Sequence, residues 1–175
     1  MTSEVSDKKE LLPAIHAAIE ELLNLLSPLD NKAINTVPYQ DSWTAGQLLR
    51  HVTKSIDGID QALLTTGEPA GRAPDKRIEE LKKIFLDFSH KMKSPDFIIP
   101  EDIFYEKQVV AEELHSAEKR LLEAAGNAPL TEMVNSLPLG PITKLELLHF
   151  TLFHTQRHLN QMKKIREALS HLTSS

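Results

Sequence analysis

Ile142-Thr143-Lys144-Leu145-Glu146-Leu147-Leu148-His149-Phe150-Thr151-Leu152-Phe153-His154-Thr155-Gln156-Arg157-His158 is the stretch whose reading decides the fold. It opens as a helix N-terminus. Thr143 supplies a hydroxyl at the N-cap, Glu146 supplies the carboxylate of a capping box, and Ile142 and Leu147 occupy the two staple positions. Two stripes at helical spacing follow on neighbouring faces. One runs through Leu147, Phe150, His154, His158, Gln161 and Ile165, the other through Leu145, Leu148, Leu152, Leu159 and Met162. A helix with this much apolar surface must bury it against partners. It is expected to continue to about Leu169, with 171–175 fraying.

Three further segments of comparable length carry helical periodicity, and none alternates like a strand. The first runs from about Ser3 to Leu26, with Leu12, Ile15, Ile19, Leu22, Leu23 and Leu26 on one stripe and Pro28 as its stop. The second starts at Thr44, where Thr44 and Gln47 have capping-box form. It turns Leu48, His51, Val52, Ser55, Ile56 and Ile59 to one side and stops by Gly67 and Pro69. The third spans about Ile103 to Ala125, with Val110, Leu114, Ala117 and Leu121 inward and Gly126 as the C′ residue. Between the second and third lie some 35 residues, within which Asp75 to His90 reads as an extra amphipathic helix striped by Ile78, Leu81, Phe85 and Phe88. A link of that length can cross a bundle. The expectation is an all-α four-helix bundle, one domain over 1–175, with a long crossover that carries an extra short helix.

Composition narrows the function. The net charge of −5 argues against nucleic acid and, more weakly, against an anionic membrane surface. With no cysteine, disulfides, thiolate zinc sites and a cysteine nucleophile are excluded, so any metal must be held by nitrogen and oxygen. The opening MTSEVSDKKELL has charges where a signal peptide needs an apolar run, and no apolar stretch reaches the ~20 residues of a membrane span. The protein is therefore expected to be cytoplasmic.

His154 and His158 stand four apart, so both imidazoles lie on one helical face and can reach one ion. Their stripe points inward, away from Arg157, Lys163 and Lys164. Among eight histidines one such pair also arises by chance, and the alternative is two half-buried histidines bonded to backbone or carboxylate. His51, on the inner stripe of the second helix, would complete a set of three. Three protein nitrogens leave coordination positions for water or substrate.

The residues here resemble a known family. Trp43-Thr44-Ala45-Gly46-Gln47-Leu48-Leu49-Arg50-His51 is similar to the W-S/T-x-x-x-x-L-x-H opening of the second helix in the DinB/YfiT-like superfamily. His154-Thr155-Gln156-Arg157-His158-Leu159-Asn160-Gln161 resembles its HxxxHxxQ signature on the last helix. The resemblance covers nearly the whole chain. It implies an up-down-down-up bundle, a divalent metal on His51, His154 and His158, and a homodimer. Gln161 would then orient a bound water or a ligating imidazole, or else serve as an interior amide bonded to a neighbour. Trp43 is expected to pack at the mouth of the bundle.

Two rival metal readings fail. Thr155 stands where the zincin HExxH pattern needs its general base. A di-iron bundle would use Glu112 with His115 and Glu146 with His149, yet the second helix offers no inward Glu to complete it, and Glu146 is already the cap partner of Thr143. His16, His90, His115, His149 and His171 share no ligand spacing and read as surface or core-edge residues.

An open three-histidine site on Zn or Ni, or on Fe or Mn, can activate water or polarise a substrate oxygen. It can equally deprotonate a bound thiol. The resemblance implies a metal-dependent hydrolase or a low-molecular-weight-thiol S-transferase, acting on a small-molecule substrate with any thiol arriving as cosubstrate. No acid or base residue suggests itself. Asp57 lies about 120° around the helix from His51, at 100° per residue. The alternative is a non-catalytic, metal-stabilised bundle that binds a ligand or partner.

Overall fold

The computed structural model describes residues 2–136 and 138–173. Its elements are α1 (Thr2–Leu26), α2 (Asn31–Ile34), α3 (Ala45–Leu64), β1 (Glu68–Pro69), α4 (Ile78–Phe85), a 3₁₀ turn (Asp96–Ile98), α5 (Lys107–Asn127), β2 (Glu132–Ser136), β3 (Gly140–Thr143) and α6 (Lys144–Thr173). The four long helices form an all-α bundle in which α1 packs along α6 and α5, and α3 along α5 and α6. No helix among the described residues is long and apolar enough to cross a membrane.

Each long helix gives its apolar stripe to a shared core. Ile15, Ile19 and Leu22 of α1, Leu48, Val52 and Ile56 of α3, Leu114 and Leu121 of α5, and Leu147, Leu148, Met162 and Ile165 of α6 are all essentially solvent-free. Burying each such side chain is worth roughly 1.5–3 kcal/mol over leaving it exposed. Both capping boxes form. Thr44 Oγ1 accepts from Gln47 N at 3.1 Å while Gln47 Oε1 accepts from Thr44 N at 3.0 Å. Thr143 Oγ1 accepts from Glu146 N at 3.1 Å, and Glu146 Oε2 from Thr143 N at 2.9 Å.

Several boundaries differ from the sequence expectation, each for a visible reason. α5 begins at Lys107 rather than near Ile103 because side chains of the α2 segment take the backbone before it. Asn35 bonds both the N–H and the C=O of Tyr105, each at 2.8 Å, and Asn31 Oδ1 accepts from Lys107 N at 2.8 Å. Gly126 lies inside the last turn of α5, and Lys8 Nζ donates to the carbonyls of Gly126 and Ala128. α4 is shorter than Asp75–His90: the Arg157 guanidinium binds the carbonyls of Phe85, Asp87 and His90, so the chain leaves the helix there and Phe88 is exposed. α6 extends through Thr173, so residues 171–173 are helical, and Ser174 and Ser175 lie outside the described residues.

A small antiparallel sheet, ordered β1-β2-β3, is an addition. Val134 pairs with Ile142 and Met133 with Thr143, and β1 joins the other edge of β2. β3 runs straight into α6 at Thr143, which fixes the angle at which that helix enters the bundle.

Gly46, in the first turn of α3, lies against Tyr105. A Cβ there would sit 2.9 Å from Tyr105 Cβ and 3.1 Å from two ring carbons. Gly46→Ala is therefore expected to cost about 1–3 kcal/mol, as overpacking does. Urea unfolding checks it, and an unchanged midpoint would show that the Tyr105 ring swings aside at no cost.

Candidate metal centre

Three imidazoles converge where α3 and α6 face each other. Nε2 of His51 lies 3.2 Å from Nε2 of His154 and 3.0 Å from Nε2 of His158, and the latter two are 3.1 Å apart. Helix geometry supplies the pair on α6, four residues apart on one face. The packing of α3 on α6 supplies the third. All three residues are buried, His51 at 1% exposure and the others at 6%.

The far sides of two rings fix which nitrogen faces inward. His51 Nδ1 lies 3.0 Å from the carbonyl of Ile98, an acceptor only, so the Nδ1–H donates and Nε2 carries a lone pair. His158 Nδ1 donates to Gln161 Oε1 at 2.9 Å, which leaves its Nε2 bare in the same way. Two unprotonated nitrogens thus face each other at 3.0 Å with no hydrogen between them. His154 can offer at most one proton to the pair. Buried polar atoms so arranged are left unsatisfied by protein alone.

A divalent cation resolves that conflict. With metal–nitrogen distances of ~2.0–2.1 Å, neighbouring nitrogens sit about 3.3 Å apart in a tetrahedral site and about 2.9 Å apart at right angles. The observed 3.0–3.2 Å falls between these limits. Ring nitrogens held outward by a carbonyl and an amide are the arrangement that orients metal-binding histidines.

Electrostatics keep the rings neutral, the form that ligates. Burial pushes the His51 imidazolium pKa down and the Lys54 charge adds to this, against the Ile98 hydrogen bond. Burial likewise holds His154 well below its ordinary value, helped by His158, His51 and Arg157. His158 falls to about 3 through burial, His51 and Arg157, with Gln161 opposing.

An aromatic wall surrounds the triad. Trp43 lies against His51 with ring centroids 4.7 Å apart, Phe150 stacks on His154 at 5.2 Å and 27°, and Phe85 meets Phe150 edge-on. The backbone of Ile98 is a partner the sequence could not reveal, because any residue offers a carbonyl and only the crossover's path brings this one to His51. That path is pinned by Glu101, which pairs with Lys54 at 2.6 Å and Arg50 at 3.1 Å. Lys54 Nζ also donates to the Ile99 carbonyl, and Tyr105 Oη to that of Glu101. The bonds from Lys54 and Arg50 hold the Glu101 carboxyl down at about 2, against an ordinary 4.5. A depressed carboxylate contributes stability above its unfolded pKa and loses it as pH falls through the folded one. Wild type is thus expected to lose stability from pH 4.5 toward 2 more steeply than Glu101→Gln. The difference is at most about 1 kcal/mol for pairs this exposed, and urea melts across that window would read it. Parallel slopes would mean the pairs are screened away.

No carboxylate among the described residues bonds any of the three rings. Asp57 instead pairs with Arg120 on the surface at 2.7 Å. Glu146 is committed to Arg72 and the α6 cap, and Glu112 bonds Gln108, so neither serves a di-iron centre. His90 is exposed and bonded to Asp87. His16 and His115 are brought together across α1 and α5, a juxtaposition that their sequence spacing does not signal.

A helical bundle with a buried inward triad of histidines drawn from two helices defines the class: a bundle with a site that could bind a metal ion. The sequence matches the family model of the DinB superfamily over residues 14–162, and the chain belongs to that superfamily. It is also 29% identical, over 153 residues, to "Uncharacterized protein YuaE" of Bacillus subtilis (strain 168), covering 85% of this chain and 93% of that protein.

Proposed function

We propose that His51, His154 and His158 hold one divalent metal ion, Zn or Ni before Fe or Mn, and that Gln161 aims the His158 ring at it. The observation that carries this is the convergence of three Nε2 atoms within 3.2 Å, two of them with lone pairs and no proton between. When bound, such an ion activates a water or a thiol, or polarises a substrate oxygen. The protein is then a metal-dependent hydrolase or a low-molecular-weight-thiol S-transferase, with the aromatic wall of Trp43, Phe85 and Phe150 favouring the apolar part of a small substrate. The chain's own residues keep the imidazoles neutral, hold their tautomers and exclude water. Superfamily membership is in keeping with a homodimer, which sedimentation would test.

The burial of the triad favours a second reading, a metal-stabilised bundle without chemistry. Two surface clefts, one over α1 and α6 and one beside the sheet, are lined by other residues. Metal analysis of wild type, His154→Ala and His158→Ala after metal-replete purification tests the site: wild type is expected to carry one equivalent more than either variant. Screening the loaded protein for conjugation of small thiols to electrophiles, and for hydrolysis of activated esters and amides, separates the two readings. Turnover lost in His158→Ala supports the enzyme. Stoichiometric metal with no turnover supports the structural ion.

A further inference from the structure

A second group of ligand-type side chains lies between α1 and α5. His16 and Glu20 stand one turn apart on α1, and His115 and Glu118 three residues apart on α5. His16 Nδ1 is 2.7 Å from Glu118 Oε1, while His115 Nδ1 is 3.5 Å from Glu118 Oε2 and 3.6 Å from Glu20 Oε1. One ligand atom from each of His16, Glu20 and Glu118 lies within 4.8 Å of the other two.

Two independent observations point to a cation. Glu118 sits beside Ala117 and Leu121 on the buried side of α5 and is only 4% exposed. A carboxylate there needs strong compensation, and among the described residues only the imidazoles of His16 and His115, and no lysine or arginine nitrogen, come within 4 Å of Glu118 or Glu20. Glu20 Oε1, in turn, accepts no hydrogen bond and is itself shielded, with His115 Nδ1 at 3.6 Å as its ion-pair partner, while the Glu20 side chain as a whole is 39% exposed. A shielded carboxylate oxygen without a donor is rare in folded proteins, and a bound cation would satisfy it.

We propose that His16, Glu20 and Glu118, flanked by His115, form a second divalent-cation site that clamps α1 to α5, separate from the triad between α3 and α6. The mixed imidazole and carboxylate donors suit Zn²⁺, Co²⁺ or Mn²⁺ rather than a soft ion such as Cu⁺. The His16 and His115 side chains are more than half exposed, so the ion exchanges with solvent and binds more weakly than at the buried triad. The clamp fixes the face of α1 that carries His16 and Glu20, and the competing arrangement is a protonated His16 bonded to Glu118 in place of the metal.

The test is zinc uptake by the full chain in equilibrium dialysis against excess Zn²⁺. Wild type is expected to take two equivalents and H154A/H158A one. Adding H16A/E20Q to either removes one more, weakening the second site by at least the ~10–100-fold that loss of a supporting group costs. Both added substitutions sit at partly exposed positions, so the fold survives them. The proposal is overturned if H154A/H158A takes no zinc, or if H16A/E20Q leaves uptake unchanged. Loss of one equivalent in H154A/H158A alone would then leave the triad standing by itself. Should H154A/H158A not fold, Mn²⁺ titrated into wild type beyond the first equivalent must broaden the amide resonances of residues 16, 20, 115 and 118. Sharp signals there overturn the proposal as well.

Discussion

Saturating the protein with Zn²⁺ or Ni²⁺ is expected to raise its Tm by about 8–16 °C. The figure follows from linkage: free metal at a thousand times Kd stabilises the folded state by about 4.1 kcal/mol, and a protein of this length shifts by roughly 2–4 °C per kcal/mol. Three buried nitrogens, already neutral and already aimed, have little ordering cost left to meet on binding. His154→Ala and His158→Ala are expected to abolish the response, while each keeps a cooperative transition when metal is withheld. Gln161→Ala should keep the response but displace its midpoint to ~10–100-fold higher metal, since it frees the His158 ring to rotate and removes no ligand. Differential scanning calorimetry across a metal titration separates these outcomes. The second site between α1 and α5 would add its own response, so the titration is best run in the H16A/E20Q background. A wild-type protein that takes up no stoichiometric metal and gains no stability would sink the triad as a metal site.

The triad was legible because its parts are local. A pair four residues apart needs only a helix to share a face, and the Thr143 and Glu146 box declares where that helix begins. His51 needed one more step, the inward stripe of the second helix. Its registration opposite the pair on α6 depends on packing, and only the family motif anticipated it. What escaped notice depends on contacts between distant segments. The sheet joins strands of two, five and four residues, too short to show alternation, and its buried residues are only Val134, Ile142 and Thr143. The start of α5 is decided by Asn31 and Asn35, seventy residues away or more. His16 with Glu20 and His115 with Glu118 each have a helical ligand spacing, but the cluster they form exists only because α1 lies beside α5, which no local spacing shows.

The other large effect concerns the entrance to α6. Glu146, wholly buried, receives two bonds from the Arg72 guanidinium, each 2.7 Å, and backbone N–H bonds from Arg77 at 2.8 Å and Thr143 at 2.9 Å. Burial alone would raise its pKa. The Arg72 bond, the two backbone donors and the Arg72 charge outweigh it and keep the carboxyl below its ordinary range. The sequence motif explains only the Thr143 bond. The structure shows the same carboxylate also fastening the crossover, at Arg72 and Arg77, to the start of the helix that bears His154 and His158. Arg72→Ala is expected to cost about 3–5 kcal/mol, because it strands a buried charge, and thus to lower Tm by roughly 6–20 °C. Replacing both partners, as R72M/E146L, should cost markedly less than the sum of the single changes, since no charge is then left unpaired. It still forfeits the cap, worth about 1 kcal/mol. A double-mutant cycle by urea unfolding measures the coupling. If Arg72→Ala costs no more than an ordinary surface change, within about 0.5 kcal/mol, solvent or another cation reaches Glu146 when Arg72 is gone, and the crossover is not held to α6 by this pair.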